Sequence, residues 1–246
     1  MLRIFLSGVT AAAAATAMTP AQAVSFHMQG ATASQNGALH DPGVAAGEQI
    51  VAGFDGQDTV SIDFAHSTGY DFYTGSHSGV AAAPAGDSSR YVAIATGGDV
   101  LFDLRSFAGA GNHITSVSAY LGSVDPYNFI DVLGIGASGN IDAGHPLLTI
   151  GGSDLLGDNG DWYSSLTNGR LTISFDASEH IGGLVFRSTG VAFEFDSIAV
   201  GTGRPLSAGQ TPAAVPEPAS WAMMLGGFGL VGGAMRARRK AGVSFA

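Results

Sequence analysis

Apolar and polar residues alternate along most of this chain, and no stretch of its body sustains the i, i+3, i+4, i+7 spacing of a surface helix. Residues 58–64 put Val60, Ile62 and Phe64 on one face, and residues 99–104 do the same with Val100, Phe102 and Leu104. Residues 113–121 set Thr115, Val117, Ala119 and Leu121 against Ser116, Ser118 and Tyr120. Leu171, Ile173 and Phe175 alternate with Thr172 and Ser174, and Val191, Phe193 and Phe195 alternate with Ala192, Glu194 and Asp196. Residues 91–95, 129–135, 146–150 and 184–186 are short apolar runs bounded by turn formers. Together they predict about nine strands in an all-β antiparallel β-sandwich or jelly roll. Residues 24–56 read as an irregular lead-in, with only residues 50–54 strand-like, and residues 74–89 read as a long exposed loop.

The two ends break the alternation. Near the start, Arg3 precedes an alanine-rich apolar run over residues 4–18, and Ala21-Gln22-Ala23 forms an A-x-A cleavage site. That is the layout of a secretory signal peptide, residues 1–23. From residue 201 to 215 the composition shifts to Gly, Pro, Ala, Ser and Thr, the makeup of a linker. Pro216, Glu217 and Pro218 follow, then Trp221 opening an uncharged run over residues 221–235. Arg236, Arg238, Arg239 and Lys240 come next, four of the chain's ten basic residues. An apolar span ending in a basic cluster predicts a single transmembrane helix with its end on the cytoplasmic side. At about 1.5 Å per residue the run covers roughly 22 Å of a hydrocarbon core about 30 Å thick.

The tail, residues 216–241, resembles the PEP-CTERM sorting signal in its PEPxxWA form. Pro216, Glu217, Pro218, Trp221 and Ala222 carry the likeness, with the glycine-rich span and the basic cluster behind them. The resemblance implies recognition and processing by an exosortase, a membrane-embedded cysteine protease, after transfer by the export machinery. The same tail is sometimes called an ice-binding-protein C-terminal domain, a name that carries no evidence of ice binding for this chain. In the body, residues 120–128, 169–175 and 193–200 are similar to segments of exosortase-dependent surface proteins, which have a β-sandwich ahead of such a tail. That likeness brings no catalytic residue with it.

Charge narrows the partners. Residues 24–215 hold nineteen acids against five arginines, and the whole chain carries a formal charge of −10. Such a surface repels nucleic acid and anionic membranes. With no cysteine, the exported domain is held by packing and not by disulfides. The body, residues 24–200, is long enough for one domain with a sizeable core.

Candidate chemistry is sparse. The loop at residues 152–161 supplies Asp154, Asp158 and Asp161 among glycines. Hard oxygens of this kind suit calcium, although the spacing is not that of an EF-hand. Asp and Asn beside Gly are equally what tight turns require. Glu194 and Asp196 share the outward face of the last strand, where two readings stand: solvated residues, or a calcium site of the kind seen in jelly-roll carbohydrate-binding modules. Trp162, Tyr163, Tyr127 and Tyr120 read either as a sugar-stacking platform or as packing residues. Gly75-Ser76-His77-Ser78-Gly79 has His where a nucleophile elbow needs Ser. The sequence therefore points to a non-enzymatic protein of the cell surface or extracellular matrix. The rivals are a calcium-stabilised module for exopolysaccharide and a secreted hydrolase.

Overall fold

The computed structural model describes residues 24–109 and 111–204. The expected signal peptide, the sorting tail and the expected span at 221–235 lie outside them. Among the described residues there is no helix long and apolar enough to cross a membrane.

Twelve strands follow in order: β1 (Ser25–Gly30), β2 (Thr32–Ala33), β3 (Leu39–His40), β4 (Glu48–Ala52), β5 (Thr68–Thr74), β6 (Arg90–Asp103), β7 (His113–Gly122), β8 (Asn128–Gly134), β9 (Leu148–Gly151), β10 (Gly169–Ser174), β11 (Ile181–Ser188) and β12 (Phe193–Gly203). Ten of them form one antiparallel sheet in the order β1-β10-β7-β12-β6-β11-β8-β9, with β4 joining β12 and β5 joining β6. The fold is all-β, as the alternation predicts.

The sheet curls into two layers because β6 serves both. Its first part pairs with β12, Ile94 opposite Phe193, and its second part pairs with β11, Phe102 opposite Leu184. Between them the strand passes Gly97, at φ 77°, and Gly98, where a Cβ would sit 2.5 Å from the Gly69 carbonyl oxygen. A side chain at residue 98 would block that close approach. The apolar faces of the two layers then meet: Phe102, Phe186, Phe193, Phe195, Ile94, Leu121 and Ile130 are buried together. Burying each such side chain contributes about 1.5–3 kcal/mol, which makes this cluster the main stabilising feature.

Four expectations change. The runs at 91–95 and 99–104 are one strand. Residues 58–64 form no strand beyond a single bridge, Ile62 to Phe102. Val60 and Ile62 are buried, but Phe64 is 71% exposed. The cause is Asp63, whose carboxylate accepts from the Ala65 N–H and contacts His66 Nδ1, turning the chain outward. The lead-in is more regular than expected, since β1 pairs along its whole length with β10. At the other end β12 continues to Gly203, past the expected boundary at residue 200.

Candidate functional site

The outward face of β7 and β12 is roofed. Segment 74–89, expected as an exposed loop, lies across it as a strap whose Ala81, Ala82 and Ala85 are buried. Tyr91, Ala93, Ala81 and Ala192 form a second, small apolar cluster beneath it. Pro84 sits so close to β7 that a Cβ on Gly122 would lie 2.9 Å from its Cα. The Tyr120 hydroxyl donates to the Ala85 carbonyl at 2.6 Å, and the Tyr91 hydroxyl to the Gly75 carbonyl at 2.8 Å.

Glu194 holds the middle of the strap. It is 2% exposed, which corrects the expectation that it faces solvent. Its Oε1 accepts the Ala82 N–H at 2.9 Å and its Oε2 accepts the Ser123 hydroxyl at 3.0 Å. Burial pushes its carboxyl up to about 7, because the charged form loses its water and only two hydrogen bonds replace it. Asp196, 4% exposed, is likewise buried and pushed up to about 7, first by burial and then by the nearby Asp87. The strap covers both carboxylates, so the reading as solvated residues does not hold.

Asn168 ties the strap to a second loop. Its Oδ1 accepts from Ala85 N at 2.9 Å and Ser123 N at 3.2 Å. Its Nδ2 donates to the carbonyls of Asp161, at 3.1 Å, and Ser164, at 3.0 Å. That second loop carries Trp162 and Tyr163, which are 40% and 85% exposed. Gly160 lets it close down, at φ 64°: a Cβ there would fall 2.7 Å from both carboxylate oxygens of Asp125.

A cleft runs between strap and loop, with Trp162 as the wall shared by two hollows. The larger, about 440 Å³, is lined by Ser76, Ala83, Pro84, Asp87, Trp162 and Tyr163, among others. The smaller, about 240 Å³, reaches Val80, Ala82, Ser123, Asp125, Trp162 and Glu194. Asp125 Oδ2 lies 2.7 Å from the Tyr127 hydroxyl, which is also 2.7 Å from the Val191 carbonyl, and its one hydrogen serves one acceptor at a time. Burial raises the Asp125 carboxyl, and Asp158 adds to the effect.

The structure brings only some of the sequence candidates together. Of the four aromatics, Trp162 and Tyr163 face the cleft, Tyr120 is buried under the strap, and Tyr127 is pinned to Asp125. Asp154, Asp158 and Asp161 each serve a turn: Asp154 accepts from Gly151 N, Asp158 from the Ser153 hydroxyl, and Asp161 from Tyr163 N. Among the described residues, no group of three or more His, Asp or Glu side chains stands in a metal-binding arrangement. Sequence reasoning missed Asn168, Ser123 and Asp125. Asn168-Gly169 reads as turn chemistry, and nothing in that dipeptide signals a buried hub.

The cleft contains an aromatic wall and acceptor oxygens, and among the described residues no histidine lines either hollow. Such a lining can stack a ring and accept hydrogen bonds from hydroxyls.

No curated protein matches this sequence. Among solved structures, the chain is similar to a carbohydrate-binding module of the lichenase 5A of Cellvibrio mixtus, a structure in complex with cellotriose. The identity is 13% and the TM-score 0.32, over 62% of this chain and 98% of that one, a likeness too slight to carry an argument about ligands. The tail is decisive where the body is not. Its residues match the family defined by the PEP-CTERM protein-sorting motif, which implies exosortase-dependent export, and the chain carries that motif at residues 214–240.

Proposed function

We propose that this chain is a non-catalytic protein of the cell surface or extracellular matrix, delivered there by exosortase. The observation that carries the reading is the sorting motif at residues 214–240. In it, Pro216-Glu217-Pro218 marks the recognition site ahead of the apolar run, and Arg236, Arg238, Arg239 and Lys240 hold the far end inside. Glu217 is the one charge between residue 204 and the basic cluster, so it is the feature most available to a protease at the bilayer surface. The test is to express Glu217→Ala in the native host. A full-length, membrane-bound form accumulates if the reading holds. Normal processing of that variant counts against it.

A second reading, favoured by the exposed Trp162 and Tyr163 in the cleft, gives the β domain a carbohydrate ligand. Trp162 stacks on a sugar ring, while the Asp125 carboxylate accepts from its hydroxyls. Exopolysaccharide from the producing cells, used as the probe, should bind the wild-type chain and lose at least tenfold in affinity to Trp162→Ala. Equal binding by both would reject this reading and leave the sorting reading intact.

A further inference from the structure

The cleft between strap and aromatic loop carries charge of one sign. Among the described residues no arginine lines either hollow, and the chain's one lysine is Lys240. The arginines of the body are committed elsewhere: Arg170 pairs with Asp41, Arg187 with Asp131 and Arg105 with Asp103, and Arg90 lies over the Phe72 ring. The charged side chains in the lining are Asp87, Asp125 and Glu194.

These three acids differ in what they can still hold. Glu194 has one oxygen on the Ala82 N–H and the other on the Ser123 hydroxyl. Asp87 spends Oδ1 on the Ser89 N–H and hydroxyl, and its Oδ2 is buried. Asp125 is only half-buried. Its Oδ2 meets the Tyr127 hydroxyl, and among the described residues no hydrogen bond reaches its Oδ1. That oxygen is not among the buried unpaired atoms, so solvent reaches it. A side chain at residue 160 would cover the carboxylate, since its Cβ would fall 2.7 Å from both oxygens; Gly160 leaves it open. Burial, and after it the charge of Asp158, work against the ionised form of Asp125. A positive partner therefore gains more here than at a fully hydrated carboxylate. Trp162, beside it in the same hollow and 40% exposed, offers an indole face that attracts a cation as well as a sugar ring.

We propose that the cleft selects sugar units bearing a free amine, the ammonium on Asp125 and the ring on Trp162, and rejects uronates. The inference rests on the carbohydrate reading of the cleft and narrows it to one chemical class. An ammonium donates to Asp125 in a charge-assisted hydrogen bond, about twice as strong as one from a neutral hydroxyl. A neutral sugar binds without that gain, and N-acetylation removes it. A uronate finds no basic side chain in the lining and is repelled by Asp125 and by the acidic body around it.

The experiment is calorimetric titration of the full-length chain in detergent at pH 6 with trisaccharide probes: glucosamine with free amines, its N-acetylated form, a neutral glucan and a uronate. The free-amine probe binds at least tenfold tighter than the acetylated and neutral ones, and the uronate binds weakest. Asp125→Asn brings the amine probe down to the neutral level. Asp71→Asn, at an exposed acid on β5, leaves the preference intact. Equal affinity for the amine and acetylated probes overturns the inference while the carbohydrate reading stands, and so does tightest binding of the uronate. A preference that survives Asp125→Asn overturns it too, as does one that Asp71→Asn weakens equally, which would make it the pull of the whole acidic surface. Binding of none of the probes overturns both readings. The comparison of probes on the wild type decides the matter if Asp125→Asn fails to fold.

Discussion

The Glu194 carboxylate and the Ala82 N–H, 112 residues apart in sequence, meet at 2.9 Å and fix the strap to the sheet. A buried acid in this position makes stability depend on pH. Its folded value, about 7, stands above the 4.5 of the unfolded chain. The folded state therefore binds the extra proton, and the stabilisation is complete below about pH 4.5 and lost as pH rises to about 7. Asp196 acts in the same sense. Measured in chelator, the domain should be more stable at pH 5 than at pH 8. Glu194→Gln should remove its share, roughly 3 kcal/mol, because the amide keeps an acceptor for Ala82 and offers Ser123 a donor. An identical pH profile in the variant would refute this.

Phe195 tests the core. It is fully buried, and its ring stacks on Phe186 at 4.2 Å across two strands that share no ladder. Phe195→Ala should cost about 3–5 kcal/mol in denaturant unfolding. Phe64→Ala, at an exposed position, should stay within about 0.5 kcal/mol. A reversal of the two would mean that the layers are assigned wrongly.

Asn168 tests the coupling of strap and aromatic loop. Asn168→Ala strands the Ala85 and Ser123 N–H groups, each worth about 1–3 kcal/mol where water cannot reach it, while the Asp161 and Ser164 carbonyls keep other donors. The variant should be destabilised by several kcal/mol, and protease should cut it faster within residues 74–89 and 157–167 than elsewhere. Uniform cleavage would separate the two segments.

Much of the fold was legible because period-two alternation survives wherever one face of a strand is buried. Phe193 and Phe195, or Leu171 and Ile173, mark such faces directly. It failed where the pattern carries no such contrast. β1 buries only Met28 among its side chains, so its place at the sheet edge leaves almost no trace. β7 and β12 bury both faces, and the polar residues on the second face read as solvated until the strap is placed over them. Glu194 and Asp196 look like an outer surface in sequence, because the segment that roofs them is Ala-, Gly- and Ser-rich and has no period of its own. The cleft was visible only through Trp162 and Tyr163. The tail needed no fold at all, since its signal is a linear order of residues.

The central claim, exosortase-dependent sorting, is tested most directly by the mass of the mature protein recovered from the cell surface of the native host. Processing at the motif predicts a C-terminus that lacks residues 221–246 and a chain that is free of the membrane fraction. A surface-exposed form whose mass still includes residues 221–240 would contradict it, and would make that apolar run a permanent anchor.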